Sequence, residues 1–243
     1  NFWWFKRLKF FRNFYPSFFY KLKQGETSMA NRNTVGFGLK PYTKTGSNSN
    51  STGTGNFTMY EIANGNTNEI FKGSVVIPLA SGFIDIVGAA DGGTVAPLGV
   101  FMGCEFVSST TGKPTWSNSW PGSGANSDHP IKAYVADDPN QVFVIQSDAT
   151  LTNEAGARAS VFLNADMILG TAGSSANGQS TATLRVSTLA TTAGLMLRLM
   201  GWIEDPDNND FAAAGVPLLV RFTTHFNADS LGIAVGTPAT TGV

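Results

Sequence analysis

The chain has 243 residues, of which 42% are hydrophobic and only 14% charged, and it contains one Cys and two His. Charged residues make up roughly 25% of an ordinary globular protein. A single Cys excludes an intrachain disulfide and a Cys-based zinc site, and any metal centre would have to lean on carboxylates. The net charge of −1 hides an asymmetry: residues 1–28 hold six Lys/Arg and one acid (net +5), and residues 29–243 hold ten and sixteen (net −6). The acidic balance of the body argues against nucleic-acid binding, which needs clustered Lys and Arg.

Residues 1–28 differ from the rest. They contain seven of the eighteen Phe and two of the five Trp, with bases interrupting every apolar run. A signal peptide fits poorly, because there is no clean apolar core and no small-residue cleavage site. Three readings stay open: a basic amphipathic helix on a membrane surface, a segment that orders on a partner, or upstream sequence read through in frame with the protein starting at Met29. The abrupt change of composition and the natural start at Met29-Ala30 favour the third. N-terminal sequencing of the native protein decides it. No apolar run approaches the roughly 20 residues a bilayer span requires.

Residues 29–56 are polar and rich in turn formers, and they predict an extended arm followed by a flexible linker. From residue 57 the pattern turns β. FTMYEI (57–62), IFKGSVVI (70–77), FIDIV (83–87) and PLGVFMGCEF (97–106) are predicted strands separated by Gly-rich turns, with the Gly in the second marking a bulge. Residues 107–130, with Trp116 and Trp120 four apart, are predicted to be a long loop, since Pro114, Pro121 and the glycines forbid a stable helix.

The chain is centred on Ile131 to Gln146, IKAYVADDPNQVFVIQ. Two β-prone runs flank Asp137-Asp138-Pro139-Asn140 and predict a hairpin. Leu197 to Asp210, LRLMGWIEDPDNND, repeats the strand followed by an acid, Pro and Asn turn. Residues 153–166 fit either a helical turn or a strand. TATLRVS (181–187), LMLRLMGWI (195–203) and VPLLVRFTT (216–224) are further predicted strands. The fold class is all-β, mainly β with at most short helices: a small barrel or sandwich body with an extended N-terminal arm. Its expected parts are a leader (1–28), the arm and linker (29–56), a first β-subdomain carrying the Trp loop (57–130), a second β-subdomain (131–233) and a flexible tail (234–243).

No nucleophile elbow, phosphate-binding loop, zinc-protease motif or dinucleotide fingerprint is present. Nothing fixes a triad geometry around His129, His225 reads as an edge or interface residue, and Cys104 reads as a small buried hydrophobe. Glu204, Asp205, Asp207 and Asp210 are a weak calcium candidate, because calcium takes six to eight oxygen ligands; the spacing lacks the EF-hand pattern and a simple turn suffices. No enzymatic activity and no cofactor are expected.

Several segments carry a resemblance: MANRNTVGFGL, FKGSVV, APLGVFMGCEF, TTGKPTWSNSWPGS, AYVADDPNQVFVIQSD, NGQSTATL and GWIEDPDNND. From Met29 onward the chain resembles virion structural proteins of marine tailed bacteriophages, of the head-decoration type. Residues 71–100 are also loosely similar to the small β-domain of lambda-type decoration proteins. The resemblance covers most of the chain after Met29, leaves residues 1–28 unexplained, and rests on sequence blocks rather than a catalytic signature. It implies a protein made in the host cytoplasm that binds the outside of an expanded capsid as a homotrimer and clamps adjacent capsomers. The implied partners are the major capsid protein and further copies of the chain, with no nucleic acid and no membrane. Phe37, Leu39, Tyr42, Trp116 and Trp120 are the interface candidates. A carbohydrate- or host-surface-binding β-module, with Trp116 and Trp120 stacking on sugar rings, is the alternative.

Overall fold

The computed structural model describes residues 30–45, 57–87, 96–169 and 173–228. The leader, the linker after residue 45 and the tail lie outside them. In chain order the strands are β1 (Lys40–Lys44), β2 (Thr58–Ile62), β3 (Ile70–Phe71), β4 (Val75–Pro78), β5 (Ile84–Ile86), β6 (Gly99–Val107), β7 (Pro114–Ser117) and β8 (Ser119–Trp120). They continue as β9 (Ile131–Ala136), β10 (Gln141–Gln146), β11 (Asn164–Ala165), β12 (Met167–Ile168), β13 (Thr183–Leu184), β14 (Leu197–Trp202) and β15 (Pro217–Phe222). Among the described residues one α-helix, α1 (Glu154–Ser160), interrupts this all-β order. The Asn153 side chain caps it by accepting the Gly156 N–H at 2.8 Å, which satisfies a backbone donor that the first turn leaves free.

Two antiparallel sheets carry the body. One has five strands in the order β1-β10-β15-β14-β11, and the other has six, β2-β9-β6-β4-β5 with β7 also on β6. β6 is nine residues long, so β4 pairs with its start and β7 with its end. Among the described residues both strand orders are open at their ends, and neither sheet closes into a barrel.

The stretch from Ile131 to Gln146 is not a hairpin. β9 runs between β2 and β6 in the six-stranded sheet, while β10 runs between β1 and β15 in the other. Residues 137–140 form a corner that passes the chain from one sheet to the next. The local turn chemistry is as the residues suggest: Asp138 Oδ1 accepts the Asn140 N–H at 2.8 Å, and the Asp138 carbonyl accepts that of Gln141 at 3.0 Å. A turn of this kind specifies a change of direction but not the strand's partner. The downstream echo does connect partners, since β14 and β15 pair antiparallel.

Other expectations shift with this corner. The boundary expected between residues 130 and 131 falls a strand early, because β9 belongs to the six-stranded sheet. Of the arm expected over residues 29–56, residues 31–44 are part of the body: β1 is the edge strand of the five-stranded sheet, and the Asn31 side chain donates to the carbonyls of Asp210 and Ala214 at 2.9 and 2.8 Å. The expected loop at 107–130 contains β7 and β8. The expected strand at 70–77 splits at Gly73, whose φ of 92° is left-handed and suits Gly.

Two apolar clusters fill the body. One lies where both sheets contribute, including Leu39, Phe143, Ile145, Leu197 and Val220 from the five-stranded sheet and Val75 and Val100 from the other. The second is built around Phe101, Cys104, Ile131, Val135 and Trp120 on the inner side of the six-stranded sheet. Along β9, Ile131, Ala133 and Val135 point into the second cluster and Lys132 and Tyr134 point outward, while Ala136 at its end joins the first cluster.

Candidate functional site

The outward side of β9 begins an aromatic platform. Sheet register places Met59, Tyr134 and Gly103 in one row across β2, β9 and β6. The neighbouring row runs Glu61, Lys132, Glu105 and Trp116 across β2, β9, β6 and β7. The Trp116 ring lies over Gly103, where a Cβ would sit 2.7 Å from its Cζ2. Gly103 also has a φ of 143°, a conformation that other residues rarely adopt. Only Gly leaves the space the indole occupies.

Trp116 and Tyr134 are 5.0 Å apart between ring centroids and tilted by 52°. The Tyr134 hydroxyl donates to Glu105 Oε2 at 3.3 Å. Trp116 is 57% exposed and Met59 55%. An exposed indole beside a phenol and a thioether, with carboxylates and an ammonium in the adjoining row, can bind by stacking, by apolar burial and by rim hydrogen bonds.

The interface candidates divide. Trp116 is on this platform. Trp120 is a core residue: it is fully buried, meets Phe106 edge-on at 5.5 Å and donates its indole N–H to the Asn66 carbonyl at 3.2 Å. Their spacing of four places one indole outside and the other inside because Asn118 separates two short strands with different partners. Leu39 is likewise fully buried and cannot anchor a partner. Phe37 is half-buried beneath the Lys40 ammonium, 4.0 Å from its ring centroid. Tyr42 is exposed on β1, in the other sheet.

The weak calcium candidate, Glu204, Asp205, Asp207 and Asp210, is occupied by internal hydrogen bonds and an ion pair at three of its four acids. Among the described residues no three His, Cys, Asp or Glu side chains gather as metal ligands. Asp205 instead accepts from the Asn208 amide at 2.7 Å and the Asp207 N–H at 3.0 Å, which hold its carboxyl below the usual range. Asp207 pairs with Arg32 at 3.0 Å, and Asp210 accepts the Ala212 N–H at 2.9 Å. Asp207, Asn208 and Asp210 of this turn hold residues 31–33.

Three surface residues escaped the sequence reading. Tyr134 and Met59 need the sheet register to become neighbours. Phe162, just after α1, is 71% exposed with a left-handed φ of 73°, an outlier for a bulky residue.

A second polar group sits where the corner meets both sheets. Asp137 accepts from Thr58 at 2.8 Å and from the Tyr60 hydroxyl at 2.7 Å. Asp138 pairs with Lys44 of β1 at 2.6 Å. His225 is buried, accepts the Asn227 N–H on Nδ1 at 3.1 Å, and has no partner on Nε2 among the described residues. Burial lowers its pKa to about 4, against the opposing pull of Asp137 and Asp138. Burial and the Asp137 hydrogen bond raise Tyr60 to about 12. The group joins β1, β2 and the segment after β15 around one corner, and its hydrogen bonds are those of a structural clasp.

Searches against protein-family models, curated proteins and solved structures find no match for this chain.

Proposed function

We propose that the protein is a structural component of a phage virion, of the capsid decoration or cement type, that works through protein–protein contacts and not through catalysis. The sequence blocks from MANRNTVGFGL to GWIEDPDNND motivate the reading. The exposed platform of Met59, Tyr134 and Trp116 carries it, because clustered aromatic and Met side chains with charges at the margin are the composition of an interface centre. In this proposal the protein is made in the host cytoplasm, assembles as a homotrimer and stabilises the head by contacting the major capsid protein through this platform. Each contact can be weak while the assembled trimer binds strongly through avidity. The test adds purified protein to undecorated heads and measures co-sedimentation. Saturable binding that Trp116→Ala weakens by about 30-fold, the size of a ~2 kcal/mol hot spot, supports it. Heads that ignore the protein would sink it.

One observation favours a second reading, a module that binds carbohydrate on a host surface. The Trp116 ring lies across Gly103 with the Glu105 carboxylate in the neighbouring row, and an aromatic face beside hydrogen-bonding groups also suits a sugar ring. Binding to host polysaccharide that Trp116→Ala removes, with no binding to heads, selects this reading.

A further inference from the structure

On the body a groove of about 310 Å³ is lined by residues from five distant parts of the chain. Backbone hydrogen bonds assemble it. The Leu39 N–H donates to the Gly73 carbonyl at 2.9 Å, the Lys72 N–H to that of Gly178 at 2.9 Å, and the Gly73 N–H to that of Phe101 at 2.8 Å. These bonds place the ammonium-bearing chains of Lys40 and Lys72 in one recess, although the two lysines are far apart in sequence and in different sheets or their connections.

The two lysines lack an acid. Among the described residues the ion pairs are Arg32 with Asp207, Lys44 with Asp138 and Arg158 with Glu154, and neither groove lysine takes part. The body has a six-charge excess of acids over bases (sixteen against ten after residue 28), so carboxylates were available to neutralise them. Two like charges brought together in a recess repel each other, and burial together with the Lys72 charge lowers the Lys40 pKa. An arriving anion relieves both costs. The Asn118 side-chain amide also lines the groove and offers N–H donors, while the Gln179 amide there already donates to the Phe37 carbonyl at 3.3 Å.

The rest of the lining is mixed, with the Asn177 amide beside apolar groups. Phe37 and Met102 form the apolar part of the wall, and fully buried Leu39 contributes no exposed side chain to it. A ligand that satisfies both parts has an anionic head and a short aliphatic stem. Bare phosphate has the charge but nothing to place against Phe37 and Met102. The volume is at the small end of ligand sites, which run from about 300 to 1,000 Å³, and suits a group the size of one acidic side chain.

We propose that the groove between Lys40 and Lys72 is a binding site for a carboxylate on a short aliphatic stem, either a free dicarboxylate or an acidic side chain of another protein. The carboxylate lies between the ammonium groups, and the stem rests on the apolar wall. This site is separate from the Trp116 platform and does not depend on the virion assignment.

The test is an amide chemical-shift titration of the full chain with glutarate, against sodium chloride at equal ionic strength. Saturable shifts at Gly73, Asn118 and Gln179 are expected. Lys40→Met and Lys72→Met should each weaken them by at least 10-fold, while Lys113→Met, in an exposed turn elsewhere, leaves them unchanged. If Lys72→Met loses its dispersed spectrum, Lys40→Met decides alone, because Lys40 is only partly buried, on the edge strand β1, and makes no ion pair among the described residues. A blocked glutamyl tripeptide then distinguishes the sources: tighter binding than glutarate assigns the site to an acidic protein segment, and weaker binding to a free dicarboxylate. No saturable shift beyond that of chloride, an undiminished response in a folded lysine variant, or inorganic phosphate binding as well as glutarate would each overturn the proposal.

Discussion

Gly103 and Trp116 show how one residue without a side chain can create a surface. Adding a methyl group at Gly103 forces the indole to move and places a left-handed strain on the backbone. Gly103→Ala should therefore destabilise the fold by about 1–3 kcal/mol, measured by urea unfolding. Trp116→Ala should change stability little, since the ring is more than half exposed. His225 sets a pH dependence. Its proton affinity in the fold, near pH 4, is below the ordinary value of 6.5, so between those values the unfolded chain binds a proton that the folded chain does not. Stability is at its full value above pH 6.5 and falls by about 3 kcal/mol as pH drops to 4. His225→Phe should remove that part of the acid loss in urea titrations at stepped pH, leaving only the carboxylate contributions.

At the scale of elements, β1 is the instructive case. Its segment reads as a free arm because its polar residues and glycines show no periodicity, yet Leu39 at its start is in the core and Lys44 at its end pairs with the corner. Leu39→Ala should cost about 3 kcal/mol, as other buried Leu truncations do, whereas Tyr42→Ala on the same segment should stay within about 0.5 kcal/mol. Both are read from chemical unfolding, and equal small effects would return residues 31–44 to the status of an arm. Phe162 is a counterpart at the far end of α1: Phe162→Gly should raise stability by up to about 1 kcal/mol by relieving a left-handed backbone. The short elements were the least legible. β3, β8 and β11 to β13 have two residues each, too few to display a period, and their pairing depends on partners far along the chain.

At the scale of the molecule, low charge and an open pair of sheets leave outer faces available to other chains. Light scattering should find a mass of three chains, each of 25.7 kDa, if the trimer assignment holds, and a persistent monomer removes it. A standard interface buries roughly 1,600 Å², so Met59, Tyr134 and Trp116 can form its centre but not its whole extent.

The amino-acid sequence by itself determined the β character, the positions of the longer strands and the two turns rich in Asp, Pro and Asn, because β-branched alternation and local backbone chemistry act over a few neighbours. It also marked Cys104 as buried, where burial raises its thiol to about 12. Only the tertiary structure decided that β9 and β10 part company, that Trp120 is inside while Trp116 is outside, and that Lys40 and Lys72 share a groove. Those facts depend on which distant strand each segment pairs with. Pairing is chosen by the burial of a whole sheet face, a property that no short stretch of sequence contains.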